Sequence, residues 1–569
     1  MDKHTVIELL EQFALLMELN GENPFKIRAY QNGARALETF EGDLTEAATS
    51  GSLKQVKGIG AGLFADIKTL VATGNLPAYD ALKATVPAGL LDMLDIPGLG
   101  PKKVKAIYEG LGLTTVGELE YACLENRLVG LAGFGEKTQA KILKSIDLWK
   151  KHRGRHLYAD VIGAAQDLEA ALAKHPAVTA VAIAGPLRRR DETVASLELV
   201  AGSADPQAAL AAFQALAGLE GVEAQADGTA TGRLLNGMTA TLQVVAPEMF
   251  PIALFLATGN ETFLAEFKAK AEAAGLTIDA AGVRRGDDVV AVADEQELFA
   301  LVGLAPVPAE LREGRGELEL AASGTLPALV DERDLQGVFH VHTHFSDGEA
   351  TVRDMALKAK AMGYRYIGIS DHSEAAFYAH GLTRERIAQQ QAEIRQLNEE
   401  LDGITILSGI EADILADGSL DYDDETLATF DFVIGSVHSR FSQDREAMTA
   451  RLVKALSNPH LTMLGHMTGR LLLSREAYDF DLEAVLGAAA EHGKIIELNA
   501  NPHRLDIDWR DLARARELGI PISINPDAHS PNGLEHTRFG VAMARKGGLA
   551  ADDVFNTRPI EEVMAFLKR

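Results

Sequence analysis

The chain has 569 residues, a single cysteine and a formal net charge of −27 at pH 7. This length predicts roughly three or four domains, and 47% hydrophobic residues with a mean hydropathy near zero is typical of a globular protein. No run of about eighteen apolar residues occurs, which excludes a membrane-spanning helix, and the lone Cys123 excludes internal disulfides and favours a reducing cytoplasm.

The negative charge is unevenly distributed. Residues 1–155 contain 19 basic and 19 acidic residues, so the whole excess lies in residues 156–569. Residues 101–155 contain 11 basic and 6 acidic residues. The N-terminal part is therefore expected to approach phosphates at modest electrostatic cost, with salt-sensitive affinity.

A short unit occurs three times in this part, as KGIGAGLFADI, PGLGPKKVKAI and AGFGEKTQAKI. In each copy Gly-apolar-Gly precedes a helical pattern, so the backbone turns tightly and the next helix presents unpaired N–H groups to a phosphate. This is the helix-hairpin-helix device, which holds a DNA backbone without reading sequence. One copy is explained equally well as a turn between helices, but three copies favour DNA binding. The predicted DNA-binding residues are Gly58, Gly60, Gly98, Gly100, Lys102, Lys103, Gly133, Gly135 and Lys137.

The rest of the chain predicts an α/β region, a linker and a barrel. Ala-rich helical patterns alternate with strand runs such as SLELVAG and TATLQVVA from residue 156 to residue 310. The segment PVPAELREGRGELELAASGTLPALVDERDLQG, with its prolines and charged residues, predicts a linker at residues 311–335. From residue 336 to the end, βα alternation favours a barrel.

Six clusters of His, Asp and Glu follow short apolar runs in this last region. They are GVFHVHTHFSDG (337–348), ISDHS (369–373), GIEAD (409–413), GSVHS (435–439), LGHMTGR (464–470) and PDAHS (526–530). Side chains at the carboxyl ends of successive barrel strands point into one mouth. So many nitrogen and oxygen donors without a thiolate are typical of a multinuclear metal hydrolase.

With these motifs, the chain resembles the bacterial family X DNA polymerases that carry a C-terminal polymerase-and-histidinol-phosphatase (PHP) domain. NPFKIRAYQNGARALE is similar to the N-terminal helical domain of that family, and SVHSRF, GHMTGR, IELNANPHRLD and PDAHS match its last third. The resemblance implies a multidomain α and α/β protein that ends in a distorted TIM-like (β/α)7 barrel. The implied domains are an 8-kDa-like helix-hairpin-helix domain at 1–85, a fingers-like helix-hairpin-helix domain at 86–155, a degenerate nucleotidyltransferase-like palm at 156–250, a thumb-like domain at 251–310, the linker at 311–335 and the PHP phosphoesterase domain at 336–569.

The resemblance also implies the ligands of a site for two or three divalent metals, with manganese, zinc and iron left open. The implied ligands are His340, His342, Asp347, His372, Glu411, His438, His466, Asp527 and His529. Asp371 is expected to orient His372 rather than bind metal. Arg470 and Arg504 are candidates for holding the substrate phosphate, with structural ion pairing as the alternative. The predicted catalytic set is His340, His342, Glu411, Asp527, Arg470 and Arg504.

The polymerase positions depart from the family. Three aspartates that would hold two magnesium ions are replaced by Ser196, Glu198 and Thr241. Ser and Thr are neutral, so magnesium binding in the palm is not expected. Arg188 and Arg189 fit either triphosphate contact or a solvated basic turn. In the first hairpin, Gly62 and Asp66 stand where lyase-competent relatives have lysines, so lyase chemistry by that route is not expected. Lys68 and other lysines nearby leave lyase chemistry open.

The leading hypothesis is a DNA-repair protein with a metal-dependent 3′→5′ exonuclease in the PHP domain and weak or lost polymerase activity. The first alternative is an active gap-filling polymerase with a PHP editing domain, in which Glu198 together with nearby acids such as Asp191 or Glu192 suffices for metal. Two others are a DNA-binding scaffold with a dormant metal site and a small-molecule phosphoesterase. The expected partner is gapped or recessed DNA, with no membrane, and the protein is expected to be a cytoplasmic monomer.

Overall fold

A computed structural model describes residues 3–40, 42–124, 127–234 and 236–568. The chain divides into two compact units, residues 1–154 and residues 155–569, and each is considered by itself. Among the described residues, every helix is too short or too polar to cross a membrane.

The first unit is helical. Its two apolar cores are formed mainly by residues 6–79 and by residues 90–146. Short helices joined at glycines follow the pattern that the sequence predicts. The helices are α1 Lys3–Asn20, α2 Pro24–Glu38, α3 Leu44–Ser50, α4 Ala61–Thr73, α5 Pro77–Lys83, α6 Ala88–Leu94, α7 Pro101–Leu111, α8 Val116–Leu124 and α9 Glu136–His152.

The second unit begins with a palm-like region built on a five-stranded mixed sheet. The sheet order is β2-β4-β7-β6-β5, and β4 and β7 are parallel neighbours. Its elements are β1 His156–Leu157, α10 Tyr158–Ala173, β2 Ala180–Ile183, α11 Gly185–Arg188, β3 Thr193–Val194, β4 Ser196–Gly202, α12 Pro206–Gln214, β5 Leu219–Ala224, β6 Thr229–Leu234 and β7 Thr239–Val245.

A thumb-like region follows, with a core that contains four phenylalanines from α13, α14 and α15. Part of the segment 311–335, for which the sequence predicts a linker, belongs to this core, because Leu318 and Ala321 of α16 are buried in it. The sequence did not indicate this helix, because the few apolar residues of ELELAAS lie among charged ones. The elements are α13 Phe250–Thr258, α14 Glu261–Ala273, β8 Thr277–Asp279, β9 Gly282–Arg285, β10 Asp288–Val290, α15 Glu295–Leu301 and α16 Glu317–Ser323.

The remainder forms a seven-stranded parallel barrel. The strands lie in chain order from β11 to β17. Val341 and Ala528 form a parallel bridge that brings the first and last strand ends together. The elements are β11 Gly337–Val341, α17 Val352–Ala361, β12 Tyr366–Ile369, α18 Arg384–Glu400, β13 Thr405–Asp413, α19 Asp424–Leu427, β14 Phe432–Ser436, α20 Arg445–Leu456, β15 Met463–Leu464, α21 Leu482–Glu491, β16 Ile495–Asn499, α22 Leu512–Glu517, β17 Ile522–Asn525, α23 Thr537–Lys546 and α24 Ile560–Leu567.

The barrel strands are buried along nearly their whole length, as expected for parallel strands that helices cover. Glycines make room for aromatic rings inside the barrel: a Cβ on Gly409 would lie 2.2 Å from the Phe432 ring. This packed interior leaves the carboxyl ends of the strands as the place where polar side chains collect.

Candidate metal centre

The nine predicted metal ligands meet at the carboxyl ends of the barrel strands. The first two lie at the end of β11, and others come from the strand β13 or from the loops after β12, β14, β15 and β17. Three of them, His340, His466 and Asp527, have positive φ angles of 57°, 21° and 51°. Left-handed backbone at non-glycine residues is costly and concentrates at functional sites, where it aims side chains.

The ligand atoms form overlapping groups whose members lie within 4.8 Å of one another. Glu411 joins the groups: its Oε1 lies 3.2 Å from His340 Nε2, 3.2 Å from His438 Nε2 and 3.1 Å from His466 Nε2. Asp527 Oδ1 lies 3.3 Å from His342 Nε2. The groups are His342, Asp347, His372 and His529; His340, His466 and Asp527; His340, His342 and Glu411; and His372, Glu411 and His438.

These residues fit divalent metals. Within the described part of the chain, His340 Nε2, His342 Nε2 and Glu411 Oε2 are buried and have no hydrogen-bond partner. Buried polar atoms are normally satisfied, so such atoms aimed at one another indicate an absent common partner. Ligands about 2.0–2.3 Å from one ion lie roughly 3–4 Å apart, which is the spacing found here.

The electrostatics favour the ligating form at Glu411, His342 and His466, whereas at His438 the carboxylates of Glu411 and Asp413 outweigh burial and raise the pKa to about 10. Burial alone would raise the pKa of Glu411, but the imidazoles of His438 and His340 outweigh it and hold the pKa well below its ordinary value. Burial lowers the pKa of His342 to about 3 and that of His466 to about 4. An ionised carboxylate and neutral imidazoles are the forms that bind metal.

Two carboxylates that the sequence did not single out hold the outer nitrogens of ligand histidines. His340 Nδ1 lies 2.6 Å from Glu497 Oε1, and His438 Nδ1 lies 2.6 Å from Asp413 Oδ1. Such contacts fix the tautomer of a ligating histidine. Glu497 and Asp413 lie within the quoted motifs IELNAN and GIEAD, so the signal was present but did not separate ligands from supports.

Asp371 is buried and contacts the loop that follows β11. Its carboxylate accepts hydrogen bonds from the backbone N–H groups of Thr343 and Ser346, at 2.7 and 3.1 Å, and from the Gln390 amide, at 2.6 Å. It therefore fixes the loop that carries Asp347, and its orienting role toward His372 stays a prediction.

The two arginines of the predicted catalytic set are placed differently. Arg470 donates to the carbonyls of Arg504 and Leu505 and pairs with Asp508, which favours the structural alternative. Arg504 Nε lies 3.3 Å from Asp527 Oδ2 and faces the centre.

The hairpin glycines have the geometry that the repeated unit requires. Gly58, Gly98 and Gly133 have φ angles of 102°, 87° and 88°, a region that favours glycine. Their partners Gly60, Gly100 and Gly135 are the residues that precede α4, α7 and α9. The side chains of Lys102, Lys103 and Lys137 are exposed. In the first hairpin, Asp66 accepts a hydrogen bond from the Tyr30 hydroxyl, so a carboxylate occupies the expected lysine position.

The three degenerate polymerase positions lie together in the palm-like sheet. On the parallel strands β4 and β7, Glu198 is paired with Thr241 and Ser196 lies two residues before Glu198. The Ser196 hydroxyl lies 3.1 Å from Glu198 Oε1. The site therefore has one carboxylate among these three positions.

Arg188 and Arg189 of the palm-like region form ion pairs within the second unit. Arg188 pairs with Glu295 at 2.6 Å, and Arg189 pairs with Glu313 at 2.9 Å. Both arginines therefore hold the palm-like region against the thumb-like region and its following loop, a role that neither sequence-based alternative included.

The acidic residues offered as substitute magnesium ligands face the barrel. Asp191 lies 2.8 Å from the buried Lys546 Nζ, and Glu192 accepts hydrogen bonds from the Trp509 indole and from Arg510, at 3.0 and 2.7 Å. These ion pairs and hydrogen bonds disfavour a metal-binding role for either acid.

Family models match four segments. They are a helix-hairpin-helix domain at residues 1–76, a SAM-like helix-hairpin-helix tandem at 90–147, a DNA polymerase beta thumb at 253–313 and a PHP domain at 339–501. The order agrees with the resemblance identified from the sequence.

Relatives fall into two kinds. A probable phosphatase of Thermoanaerobacter sp. (strain X514) is 28% identical over 244 residues, 41% of this chain and 94% of the relative, and one of Acetivibrio thermocellus is 34% identical over 203 residues, 34% of this chain and 79% of the relative. The DNA polymerase/3′-5′ exonuclease PolX of Bacillus subtilis (strain 168) is 36% identical over 574 residues, 100% of both chains. Because this similarity spans both chains from end to end, the chain belongs to the PolX family, the family X DNA polymerases with a PHP domain.

Proposed function

We propose that the protein removes nucleotides from DNA 3′ ends by metal-dependent hydrolysis in the PHP barrel, and that its polymerase activity is weak or lost. The convergence of nine metal-ligand candidates at the barrel mouth carries this proposal. The activity named for the full-length Bacillus subtilis relative, DNA polymerase/3′-5′ exonuclease, supports the choice of DNA over a small phosphomonoester.

The nine candidates would hold two or three divalent cations, with manganese, zinc or iron suited to imidazole and carboxylate ligands. Bound cations would supply Lewis acidity toward the phosphodiester and lower the pKa of a water nucleophile. Glu411 is a member of two of the four groups and lies within 3.2 Å of three imidazoles, so it would be a metal ligand in both groups. Glu497 and Asp413 would keep His340 and His438 in the ligating tautomer.

Arg504 is the residue we assign to the substrate phosphate. Its guanidinium lies beside Asp527 at the centre, and a planar fork of donors suits a phosphate that the cations also contact. Arg470 would act indirectly, since it holds the carbonyl of Arg504 itself.

The hairpins would hold the DNA backbone through the exposed lysines and helix N-termini that follow the glycines. We propose gapped or recessed 3′ ends as the substrate, and the cytoplasm as the compartment, which the single buried Cys123 supports. A monomeric state stays a prediction that light scattering of the purified protein would test. The domain boundaries implied by the sequence also stay proposals, except that residues 317–323 are assigned to the thumb-like domain.

Polymerase activity is the second candidate, because the printed name of the Bacillus subtilis relative includes it. The lone carboxylate of Glu198 and the use of Arg188 and Arg189 in ion pairs argue against it. A dormant scaffold is disfavoured because three ligand atoms at the centre lack hydrogen-bond partners among the described residues.

One gapped substrate tests these alternatives together. A 5′-labelled primer is incubated with the protein, dNTPs and manganese, zinc, iron or magnesium in turn. We expect shortening of the primer and no extension. Primer extension would support the polymerase alternative. A protein that binds the substrate but never shortens it with any metal would support the scaffold alternative.

A further inference from the structure

Asn499 is a fully buried amide at the end of β16 that the proposed function leaves without a role. Its side-chain Nδ2 lies 3.1 Å from Glu497 Oε2 and 3.1 Å from Asp527 Oδ2. Its Oδ1 accepts a hydrogen bond from the backbone N–H of Asn501 at 3.0 Å. Because a backbone N–H can only donate, this contact fixes which end of the amide is oxygen, and the two amide hydrogens face the carboxylates.

The backbone of Asn499 is fixed by contacts with two neighbouring segments. Its N–H donates to the carbonyl of Asp506 at 2.5 Å, and its carbonyl accepts from the N–H of Asp506 at 3.2 Å. Asn499 is also paired with Asn525 in the parallel register of β16 and β17. The amide therefore has a preset position beside Asp527, as a residue that orients a ligand requires.

The two carboxylate oxygens of Asp527 face different partners. Oδ2 lies 3.1 Å from the Asn499 amide and 3.3 Å from Arg504 Nε. Oδ1 lies 3.3 Å from His342 Nε2 and 3.6 Å from His340 Nε2, and both of these nitrogens belong to ligand candidates. Oδ1 is therefore the oxygen that faces the metal-ligand groups, while Oδ2 is engaged by donors from the protein.

The Asn499 amide also lies between two buried acidic side chains, Glu497 and Asp527. Two carboxylates at such close range repel each other. A neutral amide with two hydrogens donates one to each carboxylate and adds no charge. Asparagine therefore has the chemistry that this position requires, whereas an aspartate of the same shape would add a third carboxylate.

We propose that Asn499 is a positioning residue that reserves Oδ2 of Asp527, so that Asp527 is a metal ligand through Oδ1 alone. This role rests on the proposed metal centre. Without the amide, the Asp527 carboxylate would be free to turn and present both oxygens to one cation. A ligand that supplies one oxygen leaves a coordination position open, which a hydrolytic metal site requires.

The first test measures metal affinity by calorimetric titration of the chelated full-length protein with manganese. We expect Asn499→Ala to weaken binding by about 10- to 100-fold, the cost of losing a partner that orients a ligand. Asn499→Ser keeps one donor, is expected to lie between the wild type and Asn499→Ala, and serves as the test if the alanine variant does not fold. Asn398→Ala is the matched control, because Asn398 forms two hydrogen bonds of 2.8 Å with Ile406 near the start of β13, away from the carboxyl strand ends. It should keep the wild-type affinity.

The second test is the visible absorption spectrum of the protein loaded with cobalt(II), which depends on the number and geometry of the ligand atoms. If Asp527 is released, it supplies a different number of oxygens, so we expect Asn499→Ala and Asn499→Ser to change the intensity of the bands. Asn398→Ala should have the wild-type spectrum. Loss of packing alone would lower stability or affinity without altering the spectrum.

The outcomes separate this role from the nuclease function. Wild-type affinity and spectrum in the Asn499 variants would overturn the positioning role, and so would weaker binding with an unchanged spectrum. A wild-type protein that binds manganese but shortens no DNA with any metal would overturn the nuclease function and leave the role of Asn499 in place. A wild-type protein that binds no divalent cation would overturn both.

Discussion

His340 Nδ1 lies 2.6 Å from Glu497 Oε1, and both side chains are fully buried at the barrel mouth. The same carboxylate accepts from the His466 backbone N–H at 2.7 Å and from the Asn525 amide at 2.9 Å. With Nδ1 engaged, Nε2 of His340 is the nitrogen that faces Glu411 and Asp527. Glu497 thus positions a ligand without lying in any of the four groups of ligand candidates.

Glu497→Gln is expected to weaken metal binding by about 10- to 100-fold, because the amide keeps the shape of the side chain but loses its charge. Calorimetric titration of the chelated protein with manganese measures this directly. Glu535→Gln, an exposed carboxyl that pairs with Lys358 on the barrel surface, is the matched control. Equal affinities in both variants would remove the positioning role from Glu497.

The double variant His340→Ala, His342→Ala is expected to lose more than about 100-fold of the nuclease rate, since even an outer partner of a ligand costs about 10- to 100-fold. DNA binding should persist, because the hairpins are untouched. His344→Ala changes an exposed histidine of the same island and should have wild-type activity. Nuclease activity that survives in the double variant would place the hydrolytic site elsewhere.

The sequence was sufficient to find the barrel and its mouth. Parallel strands end at one edge, so a histidine or acid after each apolar run had to meet the others, and His340, Glu411 and Asp527 do so. It did not separate ligands from supports, because Glu497 and Asp413 have the same residue types and the same strand-end positions. Only the direction of each side chain distinguishes them.

Contacts between segments that are distant along the chain could not be predicted from the sequence. Glu192 and Trp509 are 317 residues apart, and no local pattern indicates that the indole donates to that carboxylate. The same holds for Lys546, whose Nζ lies 2.8 Å from Asp191. Asp191 and Glu192, which the sequence offered as substitute metal ligands, instead join regions of the second unit through these contacts.

No primer extension is expected from the wild type on a gapped substrate with magnesium or manganese, because one carboxylate replaces three at the palm-like site. Extension is measured with the nuclease disabled by His340→Ala, His342→Ala, so that degradation does not conceal it. Extension that appears there and disappears on adding Glu198→Gln would establish a working polymerase site at Glu198.

Lys102→Ala with Lys137→Ala is expected to weaken DNA binding at low salt and to lower the slope of log affinity against log salt by about 1.8, since each phosphate contact contributes about 0.9. Fluorescence anisotropy at several salt concentrations gives the slope. Lys174→Ala removes an exposed lysine outside the hairpins and should leave the slope unchanged. An unchanged slope in the double variant would exclude these lysines from the DNA contact.

Glu295, which lies outside the metal centre, is expected to make a pH-dependent contribution to the stability of the folded protein. Its carboxylate pairs with Arg188 and Arg312, each at 2.6 Å. Burial alone would raise the pKa of Glu295, but hydrogen bonds from the two arginines outweigh it and lower the pKa below its ordinary value of 4.5. A lowered folded-state pKa contributes stability above pH 4.5, and that contribution is lost as pH falls through the folded-state value.

Glu295→Gln resembles the protonated acid, so its effect should follow the same pH range. At pH 7 we expect a loss of roughly 3 kcal/mol in the free energy of unfolding of the second unit, because two largely buried guanidinium groups lose their partner. Below pH 4.5 the difference from wild type should shrink progressively as pH falls toward the lowered folded-state pKa, because the wild type then loses the contribution of its ionised carboxylate. Thermal unfolding from pH 3.5 to pH 7.5 measures this difference, with the exposed Glu272→Gln as control. A difference that is constant over this range would mean that shape, and not the charge of Glu295, holds the arginines.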